Sequence, residues 1–290
     1  MNTYLHLIVR REHDMLFATL NRPETRNALA PEVVAELTQV VALAESDAAV
    51  RALVLRGSQG FFCAGGNVGN FRARLDTDAA AGDDPVAARN REFGRFMQRL
   101  AALPVPVVAA VEGAAMGGGM GLACAADIVL ATQAARFALS ETSLGIIPAQ
   151  IAPFVAARVG QRVARRLGLS GERVSGATAV QLGLVDDLAV DGPALDALLA
   201  QWLTRIGACG PHANRALKPL LQRCGIDSDD ALLDEAAQLF AACMRDEGAE
   251  GIAAFRGKRA ASWHCEFSAD DVRANTTPPS TALQREQLPS

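Results

Sequence analysis

The chain opens on apolar residues that alternate with polar ones, then changes to a helical spacing, and this change repeats along its first half. YLHLIVR (Tyr4–Arg10) and MLFATL (Met15–Leu20) read as two short strands joined by a turn at Glu12–Asp14. Pro31 then opens PEVVAELTQVVALAES, whose apolar residues recur at three- and four-residue intervals. Proline suits a first helical turn because the N–H it lacks has no intrahelical partner there. RALVLRG (Arg51–Gly57) is a short apolar run closed by glycine, the pattern of a buried strand. SQGFFCAGGNVGNF is punctuated by glycine and reads as loop, extended by the polar RARLDTDAAAGDDP. Helical spacing returns over Asp84–Leu103, which Pro104 ends. Val105–Val111 and Asp127–Thr132 predict two further strands, flanking a second glycine-rich stretch, MGGGMG at Met116–Gly121. Strand alternating with helix is the signature of a parallel-type α/β sheet.

From Ile151 onward helical patterns dominate, beginning with IAPFVAARVG and QRVARRLGLSG, with one short strand predicted at Val185–Val190. The stretch from His264 to Ser290 is rich in Thr, Pro, Ser and Gln and has too little apolar content to fold alone, which predicts a disordered tail. The expected organisation is a core over residues 1–200, a helical region over 201–263 and the tail over 264–290. There is no repeat at a solenoid period.

Composition then narrows the class. Half of the 290 residues are hydrophobic, 21% are charged, and the net charge is −4, ordinary values for a globular chain with a large core. Lysine and arginine are scattered, which argues against a nucleic-acid surface but leaves basic residues for one anionic ligand. No run of about 18 apolar residues predicts a membrane span, and the N-terminus lacks a signal peptide's apolar stretch, so the expected location is cytoplasmic. Six cysteines without CxxC or other short metal-type spacing predict reduced thiols, mostly core filler. Four scattered histidines without HExxH predict no metal site.

Two glycine-rich segments follow strands: Ala64-Gly65-Gly66-Asn67 and Gly117-Gly118-Gly119. In α/β sheets ligands bind at the carboxyl ends of strands, where bare backbone lets N–H groups approach a ligand oxygen. The second segment also opens a helix, whose first N–H groups are unpaired and lie at the positive end of its dipole. Two such groups converging would form an oxyanion hole; close packing of helix on strand would call for the same glycines. Nucleotide motifs fit poorly: GxGxxG counted from Gly117 needs glycine where Leu122 stands, and there is no GxxxxGK. No GxSxG is present to supply a serine nucleophile.

LNRPETRNAL (Leu20–Leu29), FFCAGGNV (Phe61–Val68), VEGAAMGGGMGLACAADIVLA (Val111–Ala131), ARFALSETSLGIIP (Ala135–Pro148) and AVQLGLVD (Ala179–Asp186) follow one another in a distinctive order. In that order and spacing the chain, over roughly Tyr4–Trp263, resembles the crotonase (enoyl-CoA hydratase/isomerase) superfamily. The resemblance implies a ClpP/crotonase-like α/β fold of repeated ββα units, with the core carrying an acyl-CoA site and the C-terminal helices serving trimerisation. It implies an acyl-CoA thioester substrate, no cofactor beyond the coenzyme A of that substrate, and a homo-trimer or dimer of trimers. Position by position, the oxyanion hole falls on the N–H groups of Gly66 and Gly118. Ala64, Asn67, Val68 and Gly117 match the stretch lining the substrate and CoA path, although the family usually carries aspartate where Asn67 stands. Arg26, Lys258 and Arg259 are candidate phosphate partners, with solvated surface charge as the other reading.

Family hydratases hold one water between two glutamates. The second matches Glu141; the first matches Gly121, and a further position acidic in some relatives is Ala149. Glu141 thus stands as the acid/base, with Phe137, Leu139, Leu144, Ile146 and Ile147 as an apolar setting that would raise its pKa. Gln150 suits orienting a water or a polar acyl group, or simply starting a helix. Ser143–Gly160 most resembles the bacterial methylglutaconyl-CoA and isohexenylglutaconyl-CoA hydratases. The expected function is therefore hydration of a branched or carboxylated 2-enoyl-CoA in fatty-acid or branched-chain catabolism. Δ3–Δ2 isomerisation is the alternative chemistry, and a non-catalytic acyl-CoA-binding homologue the alternative of another class.

Overall fold

The computed structural model describes residues 4–66, 84–224 and 229–277. In chain order its first elements are β1 (Leu7–Glu12), β2 (Met15–Leu20), helix α1 (Pro31–Ser46), β3 (Ala52–Gly57), α2 (Pro85–Ala101), β4 (Val107–Val111) and β5 (Ala114–Met116). Then come α3 (Gly118–Ala125), β6 (Ile128–Thr132), β7 (Arg136–Ala138), α4 (Ala152–Ser170), β8 (Val174–Ser175), α5 (Gly176–Gln181) and β9 (Asp187–Ala189). The main sheet has the order β1-β2-β3-β4-β6-β9, and β5, β7 and β8 form a second, small sheet. β1 and β2 pair antiparallel through a turn at His13 and Asp14, both at positive φ; the remaining neighbours of the main sheet pair parallel. This order of strands and helices agrees with the expected α/β crotonase fold of repeated ββα units.

Side-chain alternation explains how one sheet serves two cores. Leu16, Ala18 and Leu20 of β2, Leu53 and Leu55 of β3, and Val107, Ala109 and Val111 of β4 face the larger core with α1, α2, α3 and α4. The intervening Met15, Phe17, Ala52, Val54, Val108 and Ala110 face the other way, onto α6 (Gly192–Ala208) through Leu195, Leu199 and Leu203. Both faces of the central strands are therefore buried, which is why β2, β3 and β4 read as continuous apolar runs. Helix α3 is buried from Gly119 to Ala125, as a helix apolar all round must be. Helix α4 is interrupted by a kink at Gly160, whose φ of 75° and ψ of 157° are not helical, where the sequence separates two helical segments. The helices α7 (Pro211–Arg223), α8 (Asp229–Arg245) and α9 (Gly248–Arg256) follow, leaving Leu233, Phe240 and Phe255 exposed.

Two expectations need correction. The stretch from 264 is not a disordered tail up to Thr277: α10 (Ala269–Thr276) is closed by a capping box, Ser268 accepting from Asp271 N and Asp271 accepting from Ser268 N. The segment is too polar to fold alone, but Val272 and Phe267 dock into the core facing α6, so the rest of the molecule supplies its apolar partner. The cysteines are free, yet only Cys63 and Cys124 are buried; Cys209 and Cys224 are exposed and Cys243 and Cys265 intermediate. The last four sit on or beside the C-terminal helices, whose outer faces are open to solvent.

Candidate active site

The two glycine segments meet. The loop after β3 is pinned from both sides: Asn27 Nδ2 donates to Phe61 O at 2.6 Å, Leu29 N to Gly65 O at 2.7 Å, and Ala64 N to Arg26 O at 3.0 Å. On its other side Cys63 N donates to Ala114 O at 2.9 Å and Met116 N to Cys63 O at 3.0 Å. This holds Gly65 in a left-handed turn, φ 89°. A methyl group on Gly65 would lie 2.6 Å from Met116 O and 3.5 Å from Gly118 N; one on Gly118 would lie 3.9 Å from Gly66 N. Neither Gly66 N nor Gly118 N has a hydrogen-bond partner among the described residues. Gly118 is the first residue of α3, so its N–H is one of the orphan donors of a helix start. The pair has the composition of an oxyanion hole: two unpaired backbone N–H groups, one at the positive end of a helix dipole.

Glu141 reaches the same place from the second sheet. Gly117 N donates to Ala138 O at 2.9 Å, tying the end of β5 to β7, and Glu141 opens the 3₁₀ turn that follows β7. A methyl group on Gly117 would lie 2.6 Å from Glu141 Oε1. The carboxylate therefore rests on the bare Cα of Gly117, which also adopts φ 48°, ψ −118°, a backbone state open to glycine. Glu141 Oε2 is buried without a hydrogen-bond partner, and burial pushes the carboxyl pKa upward against the smaller lowering effect of a backbone hydrogen bond. The direction matches expectation but the surroundings differ. Phe137 and Leu139 are buried, whereas Leu144, Ile146 and Ile147 are 56%, 38% and 73% exposed. The 3₁₀ turn ends on left-handed Gly145, and the chain beyond it runs over the surface.

Gly121 is closed rather than vacant. A methyl group there would lie 2.4 Å from Ile151 Cγ2 and 2.8 Å from Ile151 Cβ, and Ile151 is 3% exposed. The space that a side chain on residue 121 would enter is filled by this isoleucine. Gln150 turns toward α2: a methyl group on Gly94 would lie 1.8 Å from its Oε1. The same helix brings Phe93 Cζ within 3.7 Å, and Leu29 Cδ1 comes within 3.0 Å, of where a Gly118 methyl would be. Leu29, Phe93, Gly94 and Ile151 are site residues that sequence reasoning passed over. A glycine inside an otherwise good helix was the one available signal, at Gly94.

The remaining candidates divide. Ala64 lies in the pinned loop, and Arg26 shares that loop's hydrogen bonding through its carbonyl while its guanidinium lies 5.8 Å from the Phe61 ring. Asn67 and Val68 lie outside the described residues. Lys258 is exposed beyond α9, and no described contact joins it to the glycine loops. Arg259 forms a two-pronged pair with Glu250, at 2.7 and 2.8 Å. Among the described residues no group of three His, Cys, Asp or Glu side chains is placed to hold a metal, and no helix is long and apolar enough to cross a membrane.

Two free N–H groups beside a half-buried carboxylate with one unpaired oxygen define a class of enzyme. Such a site stabilises negative charge on an acyl oxygen and moves a proton on the adjoining carbons. The enoyl-CoA hydratase/isomerase profile matches residues 10–266. A structure of an enoyl-CoA hydratase/isomerase from Marinobacter aquaeolei superposes with a TM-score of 0.85 at 44% identity, covering 89% of this chain and 98% of that one. Pseudomonas aeruginosa AtuE gives 0.84 at 44% identity, covering 89% and 99%. The 2,3-dehydroadipyl-CoA hydratase of Escherichia coli is 34% identical over 255 residues, 87% of this chain and 96% of that protein. The chain belongs to the enoyl-CoA hydratase/isomerase family and is an acyl-CoA-processing enzyme.

Proposed function

We propose that the protein hydrates a branched or carboxylated 2-enoyl-CoA with Glu141 as its single acid/base. The observation that carries this reading is the Glu141 carboxylate lying against Gly117, next to the free N–H of Gly118. Ionised Glu141 takes a proton from water as the water oxygen bonds to the β carbon of the conjugated thioester. The electron pair displaced from the double bond moves onto the thioester oxygen, where the Gly66 and Gly118 N–H groups hold it. Glu141 then returns the proton to the α carbon as the enolate collapses, so atoms and charge balance. Removing one donor from such a hole typically costs about 10²–10³ in rate.

The substrate class is supported by the likeness of Ser143–Gly160 to methylglutaconyl-CoA and isohexenylglutaconyl-CoA hydratases, and by the dicarboxylic acyl group named for the Escherichia coli relative. Isomerisation is the second reading, favoured by Ile151 standing where a first glutamate would need room. Ala64, Asn67, Val68 and Arg26 would line the CoA path, with Lys258 toward its phosphates. The exposed Leu233, Phe240 and Phe255 support assembly through the C-terminal helices as a trimer or dimer of trimers, readable as molar mass in solution. The free cysteines suit a reducing compartment such as the cytoplasm.

The test follows the enoyl-thioester chromophore with a panel of CoA esters. Hydration predicts loss of conjugation with uptake of water from a 2-enoyl ester. Gain of conjugation from a 3-enoyl ester would instead establish the isomerase. Binding without either change would leave a non-catalytic acyl-CoA carrier.

A further inference from the structure

The loop that carries Gly66 spends its backbone donors in order. Phe61 N donates to Ser58 O at 3.3 Å, Phe62 N to Glu112 O at 2.8 Å, and Gly65 N to Cys63 Sγ at 3.4 Å. With Cys63 N on Ala114 O and Ala64 N on Arg26 O, every N–H from residue 61 to residue 65 is occupied. Gly66 N is the first left over, so its place is set by whatever holds the loop behind it.

One side chain grips that loop. Asn27 is 1% exposed. Its Nδ2 donates to Phe61 O at 2.6 Å and to Ser58 O at 3.2 Å, while its Oδ1 accepts from Arg22 N at 2.8 Å. Both amide hydrogens and the amide oxygen are used, and two carbonyls facing one N–H fix which end of the amide is which. Asn27 N also donates to Arg22 O at 2.9 Å, closing a turn around the 3₁₀ residues Pro23–Thr25. Arg26 and Asn27 lie at φ 53° and 55°, a left-handed region in which asparagine is enriched among residues that carry a Cβ. Two residues further, Leu29 forms an isolated parallel bridge with Gly66. No other side chain meets these demands at the same size. Aspartate would set oxygen against both carbonyls, and leucine would leave all three partners unpaired.

We propose that Asn27 is the positioning residue of the oxyanion hole: its amide fixes the Ser58 and Phe61 carbonyls, and through that loop the place of the Gly66 N–H. Asn27 acts through the loop and not on the reacting atoms. This rests on the acyl-CoA reading of the site and adds to it the residue that holds one half of the hole in register.

The experiment reads the hole without requiring hydration. Acetoacetyl-CoA loses a proton from the carbon between its two carbonyls, and the enolate absorbs in the near ultraviolet; an oxyanion hole favours that form of the bound ester. It is titrated into the full-length wild type, Asn27→Asp and Asn27→Gly. The first variant keeps the side-chain size but inverts its hydrogen bonding; the second keeps only the left-handed backbone. The proposal predicts that both lower the enolate-to-ketone ratio of the bound ester, at one fixed pH, at least about tenfold. Affinity for saturated butyryl-CoA, which forms no such enolate, should change less than about threefold, and turnover of a 2-enoyl ester should lose kcat with little change in KM. Val272→Ala, a core variant outside the site, controls for lost stability and should keep the wild-type ratio. An unchanged ratio in the Asn27 variants overturns the proposal. An equal fall in Val272→Ala does so too, as does failure of both Asn27 variants to fold, since either makes Asn27 a residue of the fold alone. A wild type that binds acetoacetyl-CoA without the enolate band removes the oxyanion reading, and the proposal with it. If wild type forms the enolate but hydrates no 2-enoyl ester, the hydratase reading fails while the fall in ratio still supports Asn27.

Discussion

Glu141 is a carboxylate held where water solvates it poorly, and that has consequences for both rate and stability. Its folded pKa lies above the ordinary glutamate value because burial disfavours the charge. A group raised in this way contributes stability that is fully present below its unfolded pKa and lost as pH rises through its folded pKa. At neutral pH the ionised side chain is therefore a net cost to the fold. Glu141→Gln is expected to melt higher than wild type at pH 7, and thermal melts down to about pH 4 should show the gap closing. Activity runs the other way: the proposed hydration starts from the carboxylate, so the acid limb of the kcat/KM profile, which reports the free enzyme, should lie above the ordinary carboxylate range. Glu141 and the glycines were legible in the sequence through their family pattern. That Gly117 serves as the seat of the carboxylate was not, because one-dimensional spacing does not reveal which Cα faces which oxygen.

At the scale of elements, the contact of α3 with α4 decides how many acids the site can hold. Gly121 and Ile151 interlock so closely that a side chain at 121 must displace a buried isoleucine. Gly121→Glu alone is expected to lower stability by about 1–3 kcal/mol through overpacking, read as the urea midpoint, without raising hydration. Adding Ile151→Ala should recover part of that stability by opening the space the glutamate needs. The long elements were legible because their periods are strong: α1 begins at Pro31 as the pattern predicts, and α2, predicted over Asp84–Leu103, runs from Pro85 to Ala101. The three strands of the small sheet were missed because each has only two or three residues, too few to show alternation. Yet that sheet carries Glu141 to the glycine loops.

At the scale of the whole molecule, the last helix among the described residues, α10, closes the fold. Arg56 on β3 pairs with Glu112 at 2.7 Å and with buried Asp196 of α6, which also meets Arg273 of α10 at 3.3 Å. Val272, fully buried beside Phe267, supplies the apolar half of that junction. Val272→Ala is expected to cost about 1–3 kcal/mol in denaturant unfolding, whereas a dangling tail would show no change. Composition pointed to disorder here because it weighs a segment alone, while folding weighs it against the surface it covers. If one glutamate facing one oxyanion hole performs the hydration, a conjugated 2-enoyl-CoA followed with wild type beside Glu141→Gln should show water uptake by wild type and a fall of about 10²–10⁴ in kcat for the variant. Unchanged turnover in Glu141→Gln would remove that glutamate from the reaction.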